Sequence, residues 1–257
     1  MRGFFRDRTL EVSAKSEHDF VTAADRAAEE TIVAWIRERF PGHRILTEEA
    51  GALAGVEDAT SDIEWIVDPL DGTTNFLQGL PFYAVSVACR ANGEMIAGAV
   101  YEPERDELFS AGLGEGATWN GEQMTVSGAE DLGGCFLATG FPFKARQALP
   151  TYLRVFGEVF LAARAVRRCG AAALDLAYTA AGVFDGFFEF HLAPWDVAAG
   201  SLLVSEAGGR VSDLDGGDRF VETGNILAGT PGVHAALSER VARHASEHTL
   251  EALTIGR

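Results

Sequence analysis

The sequence predicts an α+β fold in its first half and an α/β layer in its second, and two patterns carry that expectation. From Tyr83 to about Val126 the segments are short, β-rich and separated by tight turns, including Asn-Gly at 92–93 and 120–121, as in an antiparallel meander. After about Leu132, helix-length and strand-length segments alternate instead, which suggests strands covered by helices. The change divides the chain into an N-terminal α+β domain, 1–132, and a C-terminal α/β domain, 133–257.

Taken in order, Thr22 can cap a helix over about 23–40. Asp25 stands at the third helical position, Ala28, Ile32, Trp35 and Ile36 form an apolar face, and Pro41-Gly42 stops it. HRILTEEAG reads as a short strand ending at two glutamates, and DIEWIVDP as a second strand ended by its proline. GTTNFLQG reads as a short helix, followed by the meander strands YAVSVACR, MIAGAVY, DELFSAG and the stretch around ATWNGEQMTV. The second half reads as the strand CFLATG, a helix over 149–163, an alanine-rich helix over 171–182 and the strand GFFEF. A helix in WDVAAGSLLVSEAGG, the strand NILAG and a last amphipathic helix over about 233–248 complete it.

At 257 residues the chain can bury a real core, and 47% hydrophobic with 23% charged residues is ordinary for a globular protein. No apolar run approaches the roughly 18 residues of a membrane span, and MRGFFRDRTL lacks the apolar core of a secretory signal, so a cytoplasmic protein is expected. Three widely spaced cysteines suggest neither a disulfide framework nor a zinc site. A net charge of −17 argues against nucleic acid as a partner, because phosphate backbones are held by clustered Lys and Arg. It does not exclude a small phosphorylated ligand, since a cation held among carboxylates reverses the local sign.

WIVDPLDGTTNF, residues 65–76, is the densest stretch. Gly72 allows a tight turn, so Asp68 and Asp71 can reach one cation with the Leu70 carbonyl between them. The amides of Gly72 and Thr73 just beyond suit an anion. Alternatively Asp71 merely caps the following helix and Asp68 ends a strand, the simpler account of a bare DxxDG. Glu48, Glu49 and Asp196 are further candidates. Glu49 fits solvated surface, and Asp196 fits an N-cap as well as it fits a ligand. An all-oxygen set without His or Cys selects Mg²⁺ before Zn²⁺.

Together KSEHDFVTAAD, ILTEEAG, WIVDPLDGTTNF, GFPFKAR, RRCGAAALDLAYTAAGVFDGFFEF and PWDVAAGSLLVSEAGG resemble the inositol monophosphatase family, closest to its bacterial branch, from about Lys15 to the last helix. The resemblance implies a five-layer αβαβα sandwich, Mg²⁺-dependent hydrolysis of a small phosphate monoester, lithium sensitivity and a homodimer. It implies that Glu48, Asp68 and the Leu70 carbonyl hold one Mg²⁺ and Asp68, Asp71 and Asp196 a second. Glu48 would help hold a weaker third through water, and Thr73 with Asp25 would orient the attacking water. Glu189 would hydrogen-bond the inositol ring, Ala172 would line the same pocket, and Lys15 would belong to a mobile loop over the metals.

Four acids gathered at one point repel one another unless cations intervene. Two Mg²⁺ ions would cancel that charge, activate a water and stabilise the leaving oxygen. No side-chain nucleophile is then needed, and GxSxG, HExxH and the P-loop motif are all absent from the sequence. GLGEG at 112–116 reads as a hairpin rather than a nucleotide loop, and His244 with His248 as a solvated helix face. Arg167 and Arg168 fit an anion contact or surface charge equally. The expected partner is a phosphorylated polyol or sugar, most specifically myo-inositol 1-phosphate. Fructose 1,6-bisphosphate, histidinol phosphate and 3′-phosphoadenosine nucleotides are alternatives within the same chemistry. An alternative of another class is a regulatory binding protein of the transcription machinery.

Overall fold

The computed structural model describes residues 1–7, 12–16, 19–55, 62–143 and 145–244. A hairpin of β1 (Val12–Ser16) and β2 (Asp19–Thr22) leads into α1 (Ala23–Arg39). Next come β3 (Arg44–Thr47), β4 (Gly51–Leu53), β5 (Ile63–Asp71), α2 (Thr73–Gln78), β6 (Ala84–Ala91), β7 (Glu94–Glu102), β8 (Glu107–Gly112), β9 (Gly116–Trp119) and β10 (Glu122–Met124). The remainder comprises β11 (Phe136–Thr139), α3 (Leu149–Ala162), β12 (Ala165–Arg167), α4 (Ala172–Ala180), β13 (Gly186–Glu189) and α5 (Pro194–Glu206). It closes with β14 (Arg210–Ser212), α6 (Phe220–Thr223), β15 (Ile226–Gly229) and α7 (Pro231–His244).

These build an eight-stranded sheet, β10-β9-β8-β7-β6-β5-β3-β4, and a five-stranded sheet, β12-β11-β13-β15-β14. The first is antiparallel except for β3 against β5. In the second, β11 runs parallel to both of its neighbours. Helix α1 covers the outer face of the first sheet, α4 and α5 lie between the sheets, and α3 with α7 covers the outer face of the second. The expected five-layer αβαβα sandwich is therefore the observed fold. Strand alternation divides the core accordingly. On β5, Ile66 enters the central core beside Leu176, Val197 and Leu203, while Val67 faces Ile36 of α1. On β13, Phe187 enters the central core and Phe188 meets Tyr152, Val155 and Leu237 of the outer layer.

Two expectations are corrected. Trp35, read as part of the buried face of α1, is 49% exposed with the Arg39 guanidinium 4.3 Å from its ring centroid. Ile36 of the expected face is buried, together with Ala24, Asp25 and Glu29. Pro69 does not end its strand. β5 runs on to Asp71 because the register against β6 shifts between Asp68 and Asp71, and a bulge leaves proline's missing N–H without consequence. The β1–β2 hairpin, the short strands β4, β12 and β14 and the short α6 were not foreseen. GLGEG does form the β8–β9 hairpin, its Gly114 and Gly116 N–H groups donating to the Glu206 carboxylate at 2.9 Å each. His244 bonds Glu158 of α3 at 2.6 Å, and His248 lies outside the described residues. Among the described residues no helix is long and apolar enough to cross a membrane.

Candidate metal and substrate site

The β5 bulge sets the first part of the site. Asp68 Oδ1 accepts from the Leu70 N–H at 2.9 Å, folding the Asp68–Asp71 segment back so that both carboxylates approach one point. Gly72 then turns the chain at φ 88°. A Cβ there would lie 3.0 Å from the Phe82 carbonyl and 3.1 Å from Ala171 Cβ, so both the dihedral and the space require glycine. The Thr73 hydroxyl donates to the Leu70 carbonyl at 3.0 Å and lies 3.4 Å from Asp25 Oδ1. Asp25, fully buried, is fixed by the Thr22 N–H at 2.8 Å in a capping box.

Neither capping reading survives in its simple form. The N-cap of α2 is Gly72, with no side-chain cap. Asp71 Oδ2 instead accepts from the Ala173 N–H at 2.7 Å, reaching the first turn of α4. The N-cap of α5 is Ala193, and Asp196 stands at the third helical position, its Oδ2 accepting from the Ala193 N–H at 2.7 Å. That bond holds one oxygen of Asp196 and aims the carboxylate into the cavity. Asp68, Asp71 and Asp196 each present an oxygen within 4.8 Å of the others.

The electrostatics follow from burial and like charge. Burial, then Glu48, Asp71 and Asp196, raise the Asp68 carboxyl well above its usual range. Burial and Asp196 push Asp71 up to about 8, against the pull of the Ala173 N–H. Glu48 lies in the turn after β3 and lines the same cavity. Glu49 does not line it, and its N–H donates to Glu29 at 3.0 Å. Buried carboxylates that resist ionisation together, with a carbonyl beside them and no His or Cys in the cluster, fit a hard divalent cation.

The cavity, about 410 Å³, is also lined by Gly72, Thr73, Ala172, Glu189, Arg168, Phe143 and His191. Glu189, at the end of β13, is 9% exposed. Burial, with Asp196 and Asp71, raises it to about 8 although Arg168 acts in the opposite direction. Gly140 makes room for it, since a Cβ there would sit 2.0 Å from the Glu189 carboxyl carbon. The two arginines separate: Arg168 lines the cavity with its guanidinium 5.2 Å from the Phe143 ring centroid, whereas Arg167 sits outside, over Phe136. Asn75, not singled out in sequence, donates to the carbonyls of Phe82 and Cys169 at 2.7 and 2.9 Å and ties α2 to the loop before α4. Phe143 stands within GFPFKAR without having been given a role, and His191 was missed, having no periodic or motif signal of its own. Lys15 lies on β1 at the register shift between Ala14 and Ser16, and its side chain is outside the described residues.

A family model described as the inositol monophosphatase family matches residues 1–250. Nus factor SuhB of Escherichia coli (strain K12) is 53% identical over 228 residues, which cover 89% of this chain and 84% of that protein. Among solved structures, the extragenic suppressor protein suhB from Bartonella henselae superposes with a TM-score of 0.88 at 43% identity, covering 93% of this chain and 91% of that one. The inositol monophosphatase from Anabaena (Nostoc) sp. PCC 7120 superposes with a TM-score of 0.81 at 40% identity, covering 86% and 87%.

Proposed function

Because the chain belongs to the inositol monophosphatase family, we propose that it is a Mg²⁺-dependent phosphatase that hydrolyses myo-inositol 1-phosphate to inositol and phosphate. The observation that carries this reading is the convergence of Asp68, Asp71 and Asp196 within 4.8 Å, in one cavity with Glu48 and Glu189. Glu48, Asp68 and the Leu70 carbonyl would hold one ion, Asp68, Asp71 and Asp196 a second, and Glu48 a third through water. Bound there, Mg²⁺ supplies charge to offset the carboxylates and the phosphate, and Lewis acidity toward water and the leaving oxygen.

The chain's own groups do the rest. The Thr73 oxygen, fixed by donation to Leu70, keeps lone pairs with which to receive and orient the attacking water. Asp25, held by Thr22 and 3.4 Å from the Thr73 hydroxyl, would help orient that water through Thr73. Glu189, buried at the end of β13, presents carboxyl oxygens that can accept hydrogen bonds from ring hydroxyls. Ala172, 6% exposed, keeps the adjacent wall apolar and small.

Phosphate release tests the reading. With Mg²⁺, inositol 1-phosphate should be turned over faster than fructose 1,6-bisphosphate, histidinol phosphate or 3′-phosphoadenosine nucleotides, and EDTA should abolish the activity. Full activity after exhaustive chelation, or no turnover of any monoester, refutes it. A second reading, a binding role toward the transcription machinery, draws support from the relatives' name, Nus factor SuhB. The expected homodimer draws support from α3, which leaves Leu153, Phe160 and Leu161 49%, 59% and 85% exposed.

A further inference from the structure

Five described residues other than glycine have positive φ: Arg6, Asn92, Asp106, Asn120 and His191. Asn92, Asp106 and Asn120 lie in tight turns between consecutive meander strands, where a left-handed residue reverses the chain, and Arg6 lies in the first turns of the chain. His191, at φ 61°, is in no hairpin. It joins β13 to α5 and lines the cavity. Its backbone is dictated by the neighbouring segment: the His191 N–H donates to Asn225 Oδ1 at 3.2 Å and the Leu192 N–H to the Gly224 carbonyl at 2.8 Å. Asn225 is itself 1% exposed. These backbone bonds would hold a glycine equally well and without steric cost, so they do not themselves account for a side chain at this position. A side chain carried at a strained backbone position inside a cavity points to a functional use.

Its neighbours indicate which use. His191 stands two residues after Glu189 and five before Asp196, and both share its cavity. Glu48, Asp68, Asp71 and Asp196 would be engaged by the cations, which leaves Glu189 and Arg168 as the remaining charged groups in the described lining of that cavity. A neutral imidazole has one donor and one acceptor nitrogen, the complement of a hydroxyl. We propose that His191 is a specificity-determining residue that hydrogen-bonds a hydroxyl of the phosphorylated polyol, beside the hydroxyl met by Glu189. This inference rests on the phosphatase reading.

The test compares wild type, His191→Gly and His191→Asn on inositol 1-phosphate and on phenyl phosphate, whose ring has no hydroxyls, with melting temperature as a parallel readout. His191→Gly should raise KM for inositol 1-phosphate about tenfold, the loss of one hydrogen bond, while kcat/KM for phenyl phosphate stays unchanged. Its melting temperature should be unchanged or higher, because the left-handed backbone no longer carries a Cβ. Asn, which tolerates this backbone and keeps a donor and an acceptor, should recover part of the loss. Equal losses on both substrates, or no loss on either, overturn the inference while leaving the phosphatase reading intact. A wild type that turns over neither substrate overturns both.

Discussion

Replacing Asp71 by Asn should stabilise the metal-free protein and disable the enzyme, and the first effect has a definite pH signature. An unfolded Asp ionises near 3.8, whereas burial and Asp196 hold Asp71 neutral up to about 8 in the fold. Between those values the folded state binds the extra proton. Stability from this carboxyl is therefore fully present below pH 3.8 and is lost progressively as pH rises to about 8. At ~1.4 kcal/mol for each tenfold change in acidity, the loss reaches on the order of 5 kcal/mol at pH 8. Asn carries no such charge, and its Oδ1 can still accept from the Ala173 N–H. For a chain of this size, ~2–4 °C per kcal/mol converts the difference into a melting temperature roughly 10 °C or more above wild type at pH 8. The gap should shrink to a few degrees near pH 4.5. The assay is thermal unfolding after EDTA dialysis across that range, repeated with Mg²⁺. Added Mg²⁺ should stabilise wild type more than the variant, and kcat/KM should fall by ~100-fold or more. A melting difference independent of pH would refute the electrostatic argument, and near-normal activity with normal Mg²⁺ dependence would refute Asp71 as a ligand.

Glu189→Gln should reduce turnover of inositol 1-phosphate about tenfold or more while sparing an aryl phosphate; equal losses on both would place Glu189 in the chemical step. Gly140→Ala should reproduce that selectivity from a distance, because its Cβ would occupy the position of the Glu189 carboxylate; unaltered kinetics on both substrates would show that Glu189 can relocate without consequence. Asn75→Ala removes the donor to two carbonyls, at about 1–3 kcal/mol each if they are left unsatisfied, so melting should drop by roughly 5 °C or more. An unchanged melting temperature would mean that water replaces the amide.

Local chemistry alone was enough for much of this protein. The Asn-Gly turns at 92–93 and 120–121 need no distant partner to reverse the chain, and both asparagines do adopt positive φ. Thr22 and Asp25 cap α1 through bonds three residues apart, so the box was legible in the string of letters. Glu48, Asp68, Asp71 and Asp196 could be raised as candidates from their own stretches, whereas their division between cations, the role of Glu189 and the layers that hold them were implied only by the family resemblance of the ordered motifs. What Asp71 does with its carboxylate was decided by tertiary structure, since its bond to Ala173 spans 102 residues and no cap at Gly72 competes for it. Trp35 has the right helical spacing for burial, yet the strands beneath α1 meet Ile36 and leave the indole to Arg39. β12 and β14 have three residues each, too few for a periodic signal, and exist because β11 and β15 offer them open edges. The left-handed turn at His191 likewise exists because Gly224 and Asn225, distant in sequence, are brought alongside. A hydrogen bond between neighbours in sequence is written into composition and spacing; one across the sandwich depends on which layers meet, and that is decided when the whole core packs.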